Sequence, residues 1–418
     1  MRKDWEIKKL GEVCEFINRG ISPKYIEQNG LVVLNQKCVR NHKINFDVSR
    51  MHDSKAKKVN QDRLIQVGDV LVNSTGTGTL GRVAQVKEKV EATIDSHITI
   101  VRPKRNIFYD EFFGYAMTSI EEEISKGGDG CGGQTELSRT KLKEDYCINY
   151  PKSLSEQKRI VEILDKAFAA IDNAKTNIEK NLQNAKELFE SYLQNVFANK
   201  GEDWEEKKLG DERILEIVDG DRGVNYPNKK EFHESEYCVF MNTGNVRPNG
   251  FDFSEVTFIT KEKDDKLRKG KLKRNDVVMT TRGTIGNIGL YNDDVPFENV
   301  RINSGMLIFK PNIKFLYPNY LFEVFRSGKI KEQIRKYVSG AAQPQLPIRT
   351  LIKFSFPLPK SIEEQKEIVK KLSDVSIKTN KLNTLYQQKL DNLEELKKSI
   401  LQKAFNGELT TATKNLVT

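Results

Sequence analysis

Cysteine, histidine and tryptophan are scarce in this chain, and long apolar runs are missing. The five cysteines, Cys14, Cys38, Cys131, Cys147 and Cys238, are scattered, odd in number and form no C-x-x-C pair. That usage argues for a reducing cytoplasm and against a structural zinc site. The four histidines are equally dispersed, with only His42 and His52 close together and no H-x-x-x-H or H-E-x-x-H spacing. No window approaches the length of a membrane span, and the N-terminal MRKDWEIKKLGEV lacks the apolar core of a signal peptide. A cytoplasmic location is therefore expected. Also absent are a G-x-x-x-x-G-K-[ST] loop, the Asn/Asp-Pro-Pro-aromatic tetrapeptide of amino-methyltransferases, and any Ser/His/Asp grouping that its context supports. The expected protein is not a catalyst and binds no metal or cofactor of its own.

Charged residues make up 31% of the 418 positions and hydrophobic ones 37%, a composition with much exposed surface. Such a length suggests two or more domains. Lysine and arginine (69) exceed aspartate and glutamate (59) by ten. That excess suits a polyanionic partner without demanding one.

The chain is written twice. DWEIKKLGE at Asp4–Glu12 returns as DWEEKKLGD at Asp203–Asp211, and SLSEQKRIV at Ser153–Val161 returns as SIEEQKEIV at Ser361–Val369. Between these anchors VGDVLVNSTGTGTLGRV (Val67–Val83) faces RNDVVMTTRGTIGNI (Arg274–Ile288), and GGQTELSRTKL (Gly132–Leu142) faces AAQPQLPIRTL (Ala341–Leu351). Each half is a mixed globular unit followed by a long segment with helical periodicity.

In the first long segment apolar or small residues fall at Ile160, Leu164, Ala167, Ile171, Ala174, Ile178, Leu182, Ala185, Phe189, Tyr192 and Val196. Steps of three and four keep them on one helix face. The second segment has a matching stripe from Ile368 to Ala404, ragged near Lys389. Both open with a capping box, Ser153-x-x-Glu156 and Ser361-x-x-Glu364, behind Pro151 and Pro359, and both end near a glycine, Gly201 and Gly407. A helix of about 43 residues is roughly 65 Å long. So long a stripe needs a cover, and its repeat copy is the natural one. The pattern predicts an antiparallel coiled coil holding two globular units apart; two separate helical hairpins are the alternative.

The globular units read as strand-rich. Val32–Leu34, Asp69–Val72, Ala92–Ile100 and Cys147–Tyr150 are strand-like, Phe112–Ser125 and Tyr320–Tyr337 helical, and Gly127–Gly133 a loop. Gly76-x-Gly78-x-x-Gly81 has the spacing of a dinucleotide-binding loop, but the residues after Gly81 alternate like strands, and the other copy keeps only Gly283 and Gly286. The shared pattern predicts a tight strand–turn–strand with glycine at positive φ. Ser74, Thr75, Thr77, Thr79 and Arg82 in one copy, and Thr280, Thr281, Arg282, Thr284 and Asn287 in the other, suit hydrogen bonding to phosphates or base edges. The E-x-K triplets at Glu156–Lys158 and Glu364–Lys366 imitate nucleases, yet acidic residues in a first helical turn already complement the helix dipole.

The P-x-S-[LI]-x-E-Q-K-x-I-V helix starts, the W-E-x-K-K-L-G openings and the G-D-V-L-V/N-D-V-V-M strands resemble the specificity subunit of type I restriction–modification systems, over the whole chain. The tail TTATKNLVT matches nothing in the other copy. The resemblance implies an α+β protein with an internal pseudo-twofold repeat: target recognition domain 1 (1–152), spacer helix 1 (153–203), target recognition domain 2 (204–360), and spacer helix 2 with the tail (361–418). It implies that each recognition domain reads half of a bipartite site on double-stranded DNA and that the helices set the spacer. Two methyltransferase subunits would dock on the chain and bind S-adenosylmethionine, and restriction subunits would supply translocation with ATP and Mg. Candidate readers in the first domain are Lys37, Arg40, Asn73, Thr75, Thr77, Arg82, Gln134 and Arg139. In the second they are Asn242, Thr243, Asn245, Arg247, Thr281, Arg282, Thr284, Gln343 and Arg349. Arginine can hold guanine bidentately, and asparagine or glutamine can hold adenine. The competing readings are a two-headed protein-interaction scaffold without a DNA role, and an enzyme using the Gly76–Gly81 loop.

Overall fold

The computed structural model describes residues 4–129, 135–338 and 345–409. Its contacts divide into unit 1, within 1–179 and 388–418, and unit 2, within 180–387. The first half of the chain begins with β1 (Trp5–Lys9), α1 (Leu10–Val13), β2 (Cys14–Arg19), β3 (Tyr25–Ile26) and β4 (Leu31–Leu34). A small hairpin, β5 (Val39–Arg40) and β6 (Lys43–Ile44), precedes β7 (Arg50–His52), β8 (Val70–Asn73), β9 (Val83–Gln85), β10 (Ala92–Ile94) and β11 (Ile98–Pro103). Then come α2 (Asp110–Ser119), α3 (Glu121–Lys126), α4 (Arg139–Glu144), β12 (Cys147–Pro151) and the 45-residue α5 (Leu154–Ala198).

The second half follows a similar order, without counterparts of α1 and β3 and with one added helix. It opens with β13 (Glu205–Lys208), β14 (Leu215–Asp219), β15 (Cys238–Met241), the hairpin β16 (Val246–Arg247) and β17 (Gly250–Phe251), β18 (Phe258–Ile259) and α6 (Lys261–Lys266). It continues with β19 (Asp276–Thr280), β20 (Ile288–Tyr291), β21 (Val300–Ile302), β22 (Met306–Pro311), α7 (Pro318–Arg326), α8 (Gly328–Tyr337), α9 (Ile348–Leu351), β23 (Ser355–Leu358) and the 44-residue α10 (Ile362–Phe405).

Strand pairing follows one plan in both units. An antiparallel sheet β2-β11-β8-β9 in unit 1 matches β14-β22-β19-β20 in unit 2. A smaller sheet, β10-β4-β7-β3, matches β21-β15-β18, and in each the first pair is parallel. The first strand of each unit returns to pair with the last, β1 with β12 and β13 with β23. Val70-Leu71-Val72 is apolar at successive positions because β8 is covered on both faces: Val70 and Val72 enter one core cluster, Leu71 another. Val277, Val278 and Met279 divide in the same way.

A long helix from each half contributes to each unit's main core. In unit 1, Ile160, Leu164, Phe168 and Ile171 of α5 pack with Ala404 and Phe405 of α10, and the Phe405 ring lies 5.2 Å from Phe112. Lys175 pairs with Glu394 at 2.6 Å and Asp172 with Lys397 at 3.3 Å, so these contacts run in opposite sequence directions. In unit 2, Phe189, Leu193 and Phe197 of α5 share a core with Leu372 of α10. The ragged stripe near Lys389 does not interrupt α10.

Some expectations are corrected. Ala92–Ile100 is two strands, because Asp95 turns the chain: its carboxylate accepts from His97 N at 2.9 Å. Each expected middle helix is two helices. Ser119 and Ser327, which occupy equivalent places at the breaks, donate to the carbonyls of Ala116 (2.7 Å) and Val324 (2.6 Å), a bond that competes with helix continuation. Of the Gly127–Gly133 loop, residues beyond Asp129 lie outside the described residues.

The E-Q-K triplet is explained by its middle residue. Gln157 is fully buried; its Oε1 accepts from Tyr109 N at 2.8 Å, and its Nε2 donates to Ile107 O and Pro151 O, both at 2.9 Å. Gln365 repeats all three bonds with Tyr317 N, Phe315 O and Pro359 O at 2.8, 3.0 and 3.1 Å. Each glutamine ties a long helix to the loop that starts the middle helices. The capping serines act as expected, Ser153 and Ser361 Oγ each accepting from the backbone three residues on at 3.4 Å. Glu364 meanwhile accepts from Trp204 Nε1 at 2.7 Å.

Gln157→Ala deprives one buried and two part-buried backbone groups of their partner, at up to about 1–3 kcal/mol for a group left buried and unsatisfied. The variant is expected to unfold at lower urea than the parent with a similar m-value, and Gln365→Ala to do the same in unit 2. Phe405→Ala is expected to cost unit 1 about 3–5 kcal/mol, whereas Leu396→Ala, at a position 47% exposed, should change unfolding by no more than about 0.5 kcal/mol.

Candidate nucleic-acid interface

The strand β8 delivers the chain into the glycine turn, and β9 takes it back antiparallel, with Val72 opposite Val83. Gly76, Gly78 and Gly81 have φ of +103°, +73° and +81°, a region that L side chains rarely adopt. A Cβ on Gly81 would also lie 2.6 Å from the Ser125 backbone. A strand follows Gly81, so no helix N-terminus is there to receive a pyrophosphate. The spacing that imitates a dinucleotide loop is a turn geometry. Gly283 and Gly286 do the same work at +70° and +90°.

Neighbouring loops lock this turn. In unit 1, Asn73 Nδ2 donates to Gln36 O and Thr79 Oγ1 to Gln36 Oε1, both at 3.0 Å. Thr75 Oγ1 and His97 Nδ1 are 2.8 Å apart, Ser74 and Thr99 hydroxyls 2.5 Å apart, and Leu137 N donates to Ser74 O at 2.8 Å. In unit 2, Asn287 Nδ2 donates to Val246 O at 2.8 Å, Thr281 Oγ1 to Gly305 O at 3.1 Å, and Leu346 N to Thr281 O at 3.0 Å. Thr280 Oγ1 closes the turn onto Thr284 O.

A second loop pair lies beside each turn. Asn35-Gln-Lys-Cys-Val-Arg40 corresponds to Asn242-Thr-Gly-Asn-Val-Arg247. Asn35 Oδ1 accepts from Lys37 N at 2.9 Å, and Asn242 Oδ1 from Gly244 N at 2.7 Å. Each loop leads into a two-stranded hairpin with Val39 opposite Ile44 and Val246 opposite Phe251. Asn41 and His42 at the first hairpin's tip have φ of +51° and +57°, as a tight turn between twisted strands requires. His42 Nε2 lies 2.8 Å from the Glu121 carboxylate.

At the start of the turn strands sit ion pairs on buried aspartates, again duplicated. Asp69 meets Arg102 through two bonds of 2.7 and 2.8 Å, and Asp276 meets Lys310 at 2.7 Å. Burial pushes both carboxyls above their usual range while the cations oppose that shift. Each aspartate also accepts from the backbone three residues earlier, Gln66 N and Lys273 N, at 2.8 Å.

The candidate readers divide by exposure. Lys37, Arg40, Thr77 and Arg139 in unit 1, and Asn242, Arg247, Thr284 and Arg349 in unit 2, are exposed. Thr75, Arg82, Thr243 and Arg282 are half-buried. Asn73, Asn245 and Thr281 are enclosed, their side chains bonded to backbone, and they hold the loops rather than present a polar edge. Gln134 and Gln343 lie outside the described residues. Arg247 is committed to Asp252 at 2.9 and 3.0 Å; the Ser254 hydroxyl and amide, then Arg247, hold that carboxyl down at about 2. Arg82 donates to Gly78 O at 2.8 Å and Arg139 to Asn18 Oδ1 at 2.6 Å.

Gln36, His97 and the hairpin tip Asn41–Lys43 belong to the same surface and escaped the sequence reading. The repeated Asn-x-x-x-Val-Arg at Asn35–Arg40 and Asn242–Arg247 was the available signal. Among the described residues no cluster of His, Cys, Asp and Glu could hold a metal ion, and no helix is long and apolar enough to cross a membrane.

A family model for the type I restriction modification DNA specificity domain matches residues 2–184 and again 201–395. The chain is 25% identical over 395 residues to the type I restriction enzyme EcoBI specificity subunit of Escherichia coli, covering 83% of this chain and 80% of that one. It is 25% identical over 435 residues to the MjaVIII specificity subunit of Methanocaldococcus jannaschii, covering 97% and 93%. Its fold is similar to a chain of a type I R-M system solved to describe complex assembly and conformational transition (TM-score 0.77, 17% identity, 98% and 99% covered). It is also similar to the HsdS subunit of Thermoanaerobacter tengcongensis (TM-score 0.61, 18% identity, 98% of each chain covered). The chain belongs to the type I restriction modification DNA specificity domain family and carries that domain twice.

Proposed function

We propose that this chain is the DNA-recognition subunit of a type I restriction–modification complex and is itself non-catalytic. Its recognition domains, 1–152 and 204–360, each read one half of a bipartite duplex site through the glycine turn, the Asn-x-x-x-Val-Arg loop and the adjoining hairpin. The spacer segments, 153–203 and 361–418, pair as an antiparallel coiled coil, set the distance between half-sites and help seat two methyltransferase subunits. S-adenosylmethionine belongs to those subunits, and ATP with Mg to restriction subunits that join them. One observation carries this reading: the two domains share a framework of hydrogen bonds at Gln157 and Gln365 and at Asp69 and Asp276, yet expose different side chains. That is what two readers on one scaffold need when the half-sites differ.

In the complex with its methyltransferase subunits, the chain is expected to prefer a bipartite duplex, with affinity falling steeply as salt rises through counterion release. Exchanging residues 1–152 for another recognition domain should change one half-site only, read by mapping methylated adenines; a change in both would end the idea of independent readers. Seven residues inserted after Ala174 and seven facing them near Glu394 lengthen the pair by ~10.5 Å at 1.5 Å per residue. At 3.4 Å per base pair the preferred spacer should grow by about three base pairs, both half-sites remaining as they were.

A further inference from the structure

An arginine over an aromatic ring, with no carboxylate partner among the described residues, stands beside the unit 1 interface. Arg50 opens β7, opposite Val33 of β4, and its guanidinium carbon lies 3.4 Å from the centroid of the Tyr25 ring on the edge strand β3. Both side chains are exposed, Tyr25 to 39%. Among the described residues Arg50 makes no ion pair, in contrast to Arg19 with Glu136 at 2.5 Å or Arg247 with Asp252.

Its position follows from the loops already described. Asn35 Nδ2 donates at 3.0 Å to Val48 O, two residues before Arg50. Gln36, next in the chain, is bonded to the glycine turn. Asp95 N donates to Leu34 O at 2.9 Å, bringing the His97 loop to the same end of the small sheet. Arg50 therefore lies at the sheet end where turn, loop and hairpin gather.

Charge and divergence single out this face in unit 1. From Lys24 to Lys58 the sequence has eight lysines and arginines against three aspartates and glutamates. The corresponding stretch of unit 2, Glu231–Asp265, has three against eight. There Thr257 takes the place of Arg50, its carbonyl accepting from Phe240 N, and Phe232 packs on Phe240 at 5.5 Å between ring centroids.

We propose that Arg50, held over the Tyr25 ring, is a base-reading residue of unit 1 and takes a guanine in its half-site. Contact with an aromatic face restricts the guanidinium to few orientations, and a guanidinium N–H fork matches guanine O6 and N7 in the major groove. The assignment rests on the DNA-recognition role proposed above.

The test uses the complex with its methyltransferase subunits. The wild-type site is mapped, and the unit 1 half-site is identified as the one altered by exchanging 1–152. Each guanine of that half-site is then replaced in turn by 7-deazaguanine, which lacks the N7 acceptor. One position is expected to weaken wild-type binding about 5- to 150-fold. Arg50→Ala should show a loss of that size on the unmodified duplex and no further loss with the analogue. Arg50→Lys, which keeps charge but not the fork, should also lose discrimination there, and Tyr25→Leu should lose part of it. The unit 2 half-site and the melting temperature should be unchanged. An Arg50→Ala complex that binds as wild type overturns the assignment. So does one that weakens equally on unrelated duplexes with a shallower salt dependence, or a unit 1 half-site without a G·C pair. A wild-type complex with no bipartite preference would instead refute the DNA-recognition role itself.

Discussion

Apolar side chains on the two long helices must be covered, and the rest of the fold is arranged around that need. Neither α5 nor α10 can bury its stripe alone, since an isolated helix has nothing to pack that face against. Unit 1 finishes its core with Ala404 and Phe405 from the end of α10, and unit 2 with Phe189, Leu193 and Phe197 from the end of α5. Each core therefore draws on sequence from both halves of the chain. A change in one helix is felt by a recognition domain far away in sequence, which constrains the helices to resemble each other while the surfaces of the domains are free to differ.

The duplication reaches the level of single hydrogen bonds. Gln157 and Gln365 bind the same three backbone groups, and Asp69 with Arg102 corresponds to Asp276 with Lys310. Such groups are expensive to change one at a time, because a buried donor, acceptor or charge that loses its partner keeps its desolvation cost. The Arg102-to-Lys310 exchange keeps the charge and removes the bidentate fork, so even here the second unit holds its aspartate through fewer bonds.

The repeat, both long helices and the strand–turn–strand reading of the glycine motif were legible in the sequence because each rests on a periodic or duplicated pattern. Boundaries set by one side chain were not. Asp95 divides what looks like a continuous β-branched run, and Ser119 and Ser327 end helices whose apolar spacing continues past them. The middle residue of the E-Q-K triplet was also opaque: Gln157 looks like a surface glutamine, and only its three backbone partners, about 6 to 50 residues away in sequence, reveal a clamp. Arg50 and Tyr25 are separated by 25 residues and become a pair only through the β3–β7 register.

Exposure separates two kinds of polar residue that composition alone treats as one. Asn73, Asn245 and Thr281 spend their side chains on backbone groups and so define the loop shapes. Lys37, Arg40, Thr284 and Arg349 stand outside that lattice and can be exchanged without stranding a buried partner. A surface substitution of this kind typically shifts stability by no more than about 0.5 kcal/mol, whereas a bidentate bond to a base edge is worth about 1–3 kcal/mol of discrimination. Recognition can therefore change by more than the fold does, provided the inner set is left alone. That inequality, rather than any single contact, is the physical reason one duplicated framework can carry two dissimilar reading surfaces.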